Sequence, residues 1–254
     1  MHILVTNDDG VSHPGLLALA QALRTLGKVS VLAPDRNWSA SGHVKTLHRP
    51  LRVRDVMLAD GTPAQASDGA PSDCVALAMM GLVEKPVDLV VSGINPYANL
   101  GYDLTYSGTV TAAMEAVIAG VPALAVSVDG SEEQPVSDYG PAARAACRAA
   151  EMVLAHGLPA NVLLNVNVPA LPEEQFRGWR ITVQGTRIYR DQLLRRKDPR
   201  GRPYYWIGGQ APTGVPAAGT DIGDLAAGYV SITPVTLDLT AADFIPALEG
   251  WLKP

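Results

Sequence analysis

Five short apolar runs recur along the first two thirds of the chain. In each run the apolar residues occupy successive positions instead of alternating with polar ones, which is typical of strands that helices cover on both faces. We therefore predict five buried strands, which are Ile3–Thr6, Val29–Ala33, Val87–Ser92, Pro122–Ser127 and Val162–Val168.

The segments between these runs carry apolar residues at spacings of three and four, the period of an amphipathic helix. They predict four helices, which are Pro14–Leu26, Pro71–Leu82, Gly108–Ala119 and Asp138–His156. Proline suits the first turn of a helix because the N–H that it lacks would have no partner there, and two of the four helices begin on one. Strands that alternate with helices predict an α/β fold with a doubly wound, mainly parallel sheet.

The pattern changes after residue 170, where long apolar runs become fewer. Arg180–Gly209 predicts an extended β-hairpin arm that turns near Asp198–Gly201. A passage rich in Gly, Pro and Ala follows at Gly208–Gly219, and after it we predict a strand at Gly228–Thr233 and a helix at Ala241–Leu252. We expect one domain over residues 1–254, with a core of about 1–170, an arm of about 180–210 and a C-terminal segment of about 220–254.

The composition, 47% hydrophobic and 18% charged over 254 residues, is typical of a globular protein. The longest uncharged apolar stretch, Ala116–Val128, is shorter than the ~20 residues of a membrane-spanning helix, so we expect no membrane partner. The N-terminus lacks the features of a signal peptide, and Cys74 and Cys147 lie among small apolar residues. We therefore expect reduced core thiols and a cytoplasmic protein.

Seven basic residues lie in the predicted arm, namely Arg187, Arg190, Arg195, Arg196, Lys197, Arg200 and Arg202. We interpret them as a solvated arm, with a subunit contact or a wall that attracts an anionic substrate as the alternatives. A nucleic-acid partner is the weaker hypothesis because the net charge of the chain is −5.

Three polar clusters directly follow three of the predicted strands, at Thr6–Gly10, Asp35–His43 and Ser92–Asn95. Ligands of open parallel sheets bind beyond the carboxyl ends of the strands, where the loops of neighbouring strands meet. We therefore expect the three clusters to converge at one rim of the sheet and to form a polar site.

Asp8 and Asp9 are adjacent carboxylates at the end of the first predicted strand. Like charges held together raise each other's pKa unless a cation neutralises them. The alternative is that one carboxylate caps the next helix while the other faces water. Because Ser39 and Asn95 are available from neighbouring loops, we favour a divalent cation, and oxygen ligands suit Mg²⁺, Mn²⁺ or Ca²⁺ better than Zn²⁺. The histidines form no HxxxH or HxH group and no CxxC occurs, so zinc finds no support in the spacing.

Ser107, Gly108 and Thr109 precede the third predicted helix. Ser107 suits the N-cap, and Gly108 lets an anion approach the free N–H groups of the first turn, although an ordinary capped helix is the commoner use of such a sequence. A cation beside a helix N-terminus suits a phosphoryl group. The chain has no GxGxxG after its first strand, no P-loop and no GxSxG, so dinucleotide binding, P-loop binding and an α/β-hydrolase triad are not supported.

At these residues the chain resembles the SurE (survival protein E) family of metal-dependent nucleotidases. The resemblance covers nearly the whole chain and rests on ILVTNDDG at 3–10, APDRNWSASGH at 33–43, SGIN at 92–95, YSGTVTAAMEA at 106–116, TD at 220–221 and GYVSITPVTLDLT at 228–240. It implies a Rossmann-like core, an extended arm, and homodimers or homotetramers with swapped C-terminal elements. It also implies hydrolysis of nucleoside 5′- or 3′-monophosphates by metal-activated water and, in some members, of short polyphosphate (exopolyphosphatase activity).

Carried over residue by residue, the resemblance implies the following site. The metal ligands are Asp8, Asp9, Ser39 and Asn95, which would hold one divalent cation per subunit, Mg²⁺ or Mn²⁺ before Ca²⁺. The phosphate-contacting loop is Ser107, Gly108 and Thr109, to which we add Asn37, Ser41 and Gly42 of the second polar cluster as substrate-phosphate contacts. We assign the orientation of the attacking water to Asp8 or Asp9, and protonation of the leaving oxygen to His43, for which a surface histidine is the alternative.

The chain departs from the family after SGIN, where Pro96 and Tyr97 replace a glycine-containing stretch. Pro96 stiffens the backbone of the loop beside the cation, and Tyr97 adds bulk there and offers a ring that stacks on a base. The alternative function is a nucleotide- or phosphate-binding module with the same pocket and no turnover.

Overall fold

The structure is a computed structural model and describes residues 1–84 and 86–252. Within these residues the chain forms eleven strands, β1 to β11, and six α-helices, α1 to α6. The strands are β1 His2–Thr6, β2 Lys28–Pro34, β3 Val53–Met57, β4 Pro63–Ser67, β5 Leu89–Asn95, β6 Ala123–Val128, β7 Val162–Val168, β8 Trp179–Ile181, β9 Arg187–Lys197, β10 Pro203–Gly214 and β11 Val230–Thr236. The helices are α1 Pro14–Leu23, α2 Pro71–Leu77, α3 Gly108–Ile118, α4 Gly140–His156, α5 Asp221–Ala226 and α6 Ile245–Trp251.

Nine of the strands form one sheet in the order β3-β4-β2-β1-β5-β6-β7-β11-β8. The strands from β4 to β7 are parallel to their neighbours, whereas β3 and β11 pair antiparallel with β4 and β7. Helices α1 and α4 pack on one face of this sheet, and α2 and α3 pack on the other. The predicted doubly wound, mainly parallel α/β fold is therefore confirmed.

The strand order reverses between β1 and β5, because the chain passes from β1 to β2 on one side and later enters the sheet again on the other side of β1. A crevice forms at such a switch point beyond the carboxyl ends of the two strands. Thr6 of β1 pairs in register with Ser92 of β5, so the residues after both strands emerge side by side.

Strands β3 and β4 were not predicted from the sequence. Each has only five residues, and β3 is largely exposed at the edge of the sheet. Neither carries the continuous run of β-branched and aliphatic residues that marks the buried strands. The pairing of β4 with β2 and of β3 with β4 supplies the hydrogen bonds that define them.

The predicted hairpin arm is present as a separate two-stranded sheet of β9 and β10. The turn near Asp198 is confirmed, since the Oδ1 atom of Asp198 accepts hydrogen bonds from the N–H groups of Arg200 and Arg202 at 2.8 and 2.9 Å. The predicted bounds are wrong, because the hairpin runs from 187 to 214 and takes in half of the glycine-rich passage. Gly209 pairs with Asp191 of β9, and only glycine fits there because a Cβ would lie 2.2 Å from the carbonyl oxygen of Arg190.

The C-terminal segment forms β11, a short 3₁₀ turn at Ala242–Phe244 and α6. The helix predicted at Ala241–Leu252 is thus shorter, and Pro246 stands in its first turn, where proline is tolerated. Every residue from 238 to 252 is exposed. None of the helices in the described residues is long and apolar enough to cross a membrane.

Candidate active site

The loop after β1 is folded by its own side chains. The Nδ2 atom of Asn7 donates to the carbonyl oxygen of Gly10 at 3.0 Å, and the N–H of Gly10 donates back to the Oδ1 atom of Asn7 at 3.2 Å. Gly10 has a φ of +103°, a conformation that side chains disfavour. This turn holds Asp8 and Asp9 at the carboxyl edge of the sheet, beside the switch point.

The carboxylate of Asp8 lies at the N-terminus of α3. The hydroxyl of Thr109 donates to its Oδ1 atom at 2.5 Å. A Cβ on Gly108 would lie 2.7 Å from the Cβ of Asp8, so only glycine allows this approach. The Oγ atom of Ser107 accepts the N–H of Val110 at 3.1 Å, which makes Ser107 the N-cap as predicted. The positive end of the α3 dipole therefore faces the carboxylate.

Burial sets the ionisation of the two carboxyl groups. It raises the pKa of Asp8, although the hydrogen bond from Thr109 works in the opposite direction. Burial also raises the pKa of Asp9 to about 7, and the charge of Asp8 adds to this effect. Strong shifts of this kind are common at functional sites.

One oxygen of Asp9, Oδ2, is buried and has no hydrogen-bond partner among the described residues. The nearest basic atom is Nδ1 of His13 at 3.9 Å, which already accepts a hydrogen bond from the N–H of Gly15. An unsatisfied buried carboxylate oxygen next to a second carboxylate is unfavourable. A bound cation would remove both the repulsion and the missing contact.

The loop after β2 lies across the same rim. The N–H of Trp38 donates to the carbonyl oxygen of Asp8 at 2.7 Å, and the N–H of Gly42 donates to that of Tyr106 at 2.9 Å. The side chain of Asn37 accepts the N–H of Ser39 at 2.7 Å. The hydroxyl oxygen of Ser41 is buried and has no partner among the described residues. The second polar cluster is thus joined to Asp8 through Trp38 and, through Gly42, to Tyr106 just before the N-cap of α3.

Asn95 ends β5, the strand next to β1. Its side-chain nitrogen donates to the carbonyl oxygen of Tyr97 at 2.5 Å, so this hydrogen bond does not use the amide oxygen. Gly93 allows this strand end because a Cβ there would lie 2.4 Å from the carbonyl oxygen of Val126. Pro96, which departs from the family pattern, is held by Gly130 after β6, because its carbonyl oxygen accepts the N–H of Gly130 at 3.1 Å.

Comparison with known proteins agrees with this geometry. Residues 3–191 match the family described as Survival protein SurE. The chain belongs to the SurE family. The protein named 5′-nucleotidase SurE from Herpetosiphon aurantiacus is 54% identical over 98% of this chain and 97% of its own length. The protein of the same name from Chloroflexus aggregans is 51% identical over 99% of both chains.

A solved structure extends the likeness to the fold. The crystal structure of the SurE protein from Aquifex aeolicus matches all of this chain and all of its own with a TM-score of 0.83 and 39% sequence identity. The resemblance predicted from the sequence motifs is confirmed.

The side chain of His43 in this SurE chain contacts Glu115 of α3 and not Asp8 or Asp9. Its Nε2 atom lies 3.0 Å from an oxygen of Glu115, and the ammonium of Lys45 lies 2.9 Å from the other oxygen. Glu115 is buried and lies seven residues after Gly108, about 10 Å along the helix. Protonation of a leaving oxygen by His43 stays a prediction.

Two residues beside Asp9 were not predicted. The rings of His13 and Tyr139 are T-shaped with centroids 5.5 Å apart. Burial and the charge of Asp9 raise the pKa of Tyr139 to about 12, so its hydroxyl stays protonated. Tyr139 precedes α4, far from Asp9 along the chain. No local signal in this sequence marks Tyr139 as a neighbour of Asp9, because the packing of α4 on α1 brings it there.

No group of three or more His, Cys, Asp or Glu side chains able to hold a metal ion occurs in the described part of the chain. The predicted ligand set differs in kind, since it combines two carboxylates with the hydroxyl of Ser39 and the amide of Asn95. Oxygen ligands of mixed type suit hard divalent cations.

Proposed function

We propose that this SurE protein hydrolyses nucleoside monophosphates to a nucleoside and inorganic phosphate. The buried, unpartnered oxygen of Asp9 carries the proposal, since a cation bound to it would neutralise the pair of carboxylates of which Asp8 contacts the N-terminus of α3. The names of the two similar proteins, 5′-nucleotidase SurE, support the same activity and favour the 5′ position.

Asp8, Asp9 and Asn95, with Ser39 from the neighbouring loop, would hold one divalent cation, Mg²⁺ or Mn²⁺ before Ca²⁺. The fit rests on the unpartnered oxygen of Asp9 and on the all-oxygen donor set. Such an ion supplies a Lewis acid and a water of lowered pKa. Asp8 stays in place through the hydroxyl of Thr109, which leaves Asp9 to orient the attacking water.

The phosphoryl group of the substrate would lie beside the carboxylates, at the N-terminus of α3. The first N–H groups of α3, at Gly108 and Thr109, stabilise negative charge on its oxygens together with the helix dipole. The unpartnered hydroxyl of Ser41 and the neighbouring Asn37 and Gly42 would contact the same group from the second loop. Water is the nucleophile, because the chain lacks the Asp-x-Asp spacing that is common in phosphatases that form an aspartyl-phosphate.

The nucleoside would lie beside the loop after β5. Tyr97 is 49% exposed and follows Asn95 by two residues, so its ring is available to stack on a base. Hydrolysis of 3′-monophosphates and of short polyphosphate belongs to the same proposal, since the cation and the α3 N-terminus contact only the phosphate.

We further propose that the protein is a homodimer or homotetramer in which C-terminal elements are exchanged. The side chains of Leu239 and Trp251 are 93% and 72% exposed, and Ile207 on the arm is 85% exposed. Apolar surface of this extent is typical of a protein–protein interface.

Phosphate release from 5′-AMP, 3′-AMP and tripolyphosphate, measured with Mg²⁺, Mn²⁺ and Ca²⁺ in turn, tests the proposal. We expect Asp9→Asn to lower turnover by about 10³-fold or more, because it removes a ligand whose buried oxygen makes no hydrogen bond to the described residues. Asp60→Asn is the matched control, since Asp60 pairs with Arg24 on the surface. Full activity of Asp9→Asn would refute the cation site, and nucleotide binding without phosphate release would favour the binding module.

A further inference from the structure

The base of the hairpin arm contacts the segment that leads into α3. The Nε atom of Arg187 donates to one carboxylate oxygen of Asp103 at 2.6 Å, and the hydroxyl of Tyr189 donates to the other at 2.6 Å. The rings of Tyr189 and Tyr106 are T-shaped with centroids 6.4 Å apart. The first basic residue of the arm is therefore paired and only 17% of its side chain is exposed, whereas the other six basic residues are exposed, as the interpretation of a solvated arm predicts.

Asp103 also holds the start of α3 through its backbone. It lies in a 3₁₀ turn at Gly101–Thr105, and its carbonyl oxygen accepts the N–H groups of Tyr106 and Ser107, both at 3.0 Å. Tyr106 in turn accepts the N–H of Gly42. One residue thus connects the arm to both loops that we propose for phosphate binding.

Asp221 joins the base of the arm to the 3₁₀ turn at Gly101–Thr105 at a second point. Its Oδ2 atom accepts the N–H of Gly101 at 2.8 Å, and its Oδ1 atom accepts the N–H of Gly185 at 2.7 Å. A Cβ on Gly101 would lie 2.5 Å from the carbonyl oxygen of Gly185. The chain that enters β9 is therefore in close contact with the turn that carries Asp103.

We propose that Asp103 is a positioning residue through which the arm, by Arg187 and Tyr189, sets the affinity of the site for the phosphate of its substrate. The proposal rests on the proposed function. A contact that holds the phosphate-binding turn acts equally on the bound substrate and on the transition state, so its loss raises KM and leaves kcat nearly unchanged.

Steady-state kinetics with 5′-AMP test whether KM rises while kcat stays nearly unchanged. We expect Asp103→Ala and Arg187→Ala each to raise KM about tenfold with kcat within about twofold of wild type. Arg187→Lys, which keeps the charge, should recover most of the affinity. Arg190→Ala is the control, because Arg190 donates to the hydroxyl of Thr213 within the arm at 2.7 Å and should leave KM unchanged.

Two measurements without turnover complete the test. Hydrogen exchange of the amides of residues 101–111 should speed up in Asp103→Ala and Arg187→Ala but not in Arg190→Ala. Binding of inorganic phosphate in the presence of Mn²⁺, measured by calorimetry, should weaken in parallel with KM. An unchanged KM, or a fall in kcat and melting temperature at constant KM, would overturn the proposal.

The two proposals fail in different ways. If the wild-type protein released no phosphate from any nucleotide, the proposed function would be wrong. Faster exchange at 101–111 and weaker phosphate binding in Asp103→Ala would still support the positioning role in that case, and their absence would refute it.

Discussion

The carboxyl group of Asp9 combines a buried, unpartnered oxygen with a pKa raised to about 7 from the 3.8 of a free aspartate. Between these two values the folded, metal-free protein holds a proton that the unfolded chain has released. The stability from this group is therefore complete below about pH 4 and is lost as the pH rises through about 7. The full difference amounts to at most about 4 kcal/mol.

Thermal unfolding in a chelator should show this dependence. Relative to Asp9→Asn, we expect the melting temperature of the wild-type protein to fall between pH 5.5 and 8.5, because only the wild type loses the proton from this position. Adding Mn²⁺ at pH 8 should raise the melting temperature of the wild type alone, since ligand binding stabilises the folded state. Parallel pH profiles for the two proteins would contradict the raised pKa.

At the scale of elements, the site depends on how closely α3 approaches the end of β1. Gly108 is the first residue of α3 and has no positive φ, so alanine fits its backbone conformation. Alanine does not fit the space between α3 and Asp8, however, because its Cβ would lie 2.7 Å from the Cβ of Asp8.

We therefore expect Gly108→Ala to displace Asp8, to weaken Mn²⁺ binding and to lower phosphate release about 100-fold, while the helix itself gains propensity. Titration calorimetry with Mn²⁺ and the phosphate assay measure the two effects. Gly250→Ala is the control, because Gly250 lies in α6 with no atom within 4 Å of an added Cβ. Wild-type activity in Gly108→Ala would show that the approach of α3 is not required.

At the scale of the molecule, the hairpin arm and the exposed residues 238–252 lie outside the nine-stranded sheet. In α6 and the turn before it, Phe244 packs on Trp251 with ring centroids 5.6 Å apart, yet both rings remain largely exposed. Exposed apolar helices of this kind need a partner surface.

Removal of residues 242–254 should lower the mass found by sedimentation equilibrium and change the melting temperature of the core by only a few degrees, because these residues add little to the core. Leu47→Ser is the control, since Leu47 is 84% exposed on a different loop and should leave the mass unchanged. A full-length chain that sediments as a monomer would contradict the proposed assembly.

Much of the fold could be predicted because its signals are local. The buried strands are predicted by continuous apolar residues, and helices α1 to α4 by periodic ones. Ser107 is predicted as an N-cap by its place before α3. Strands β3 and β4 could not be predicted because their pairing, and not their side chains, defines them. The bounds of the arm could not be predicted because two adjacent glycines, Gly208 and Gly209, are typical of a turn. Only their pairing with β9 shows that they lie in a strand.

The sequence by itself determined the five buried parallel strands, the helices on both faces of the sheet and the residue types of the site, since Asp8, Asp9, Asn95 and Ser107 all stand where a strand ends or a helix begins. Only the tertiary structure decided that the hydroxyl of Thr109 holds Asp8, that His43 pairs with Glu115 and that Arg187 reaches Asp103. The physical reason is range: strand and helix signals lie within a few neighbouring residues, whereas these contacts join residues 72 to 101 positions apart.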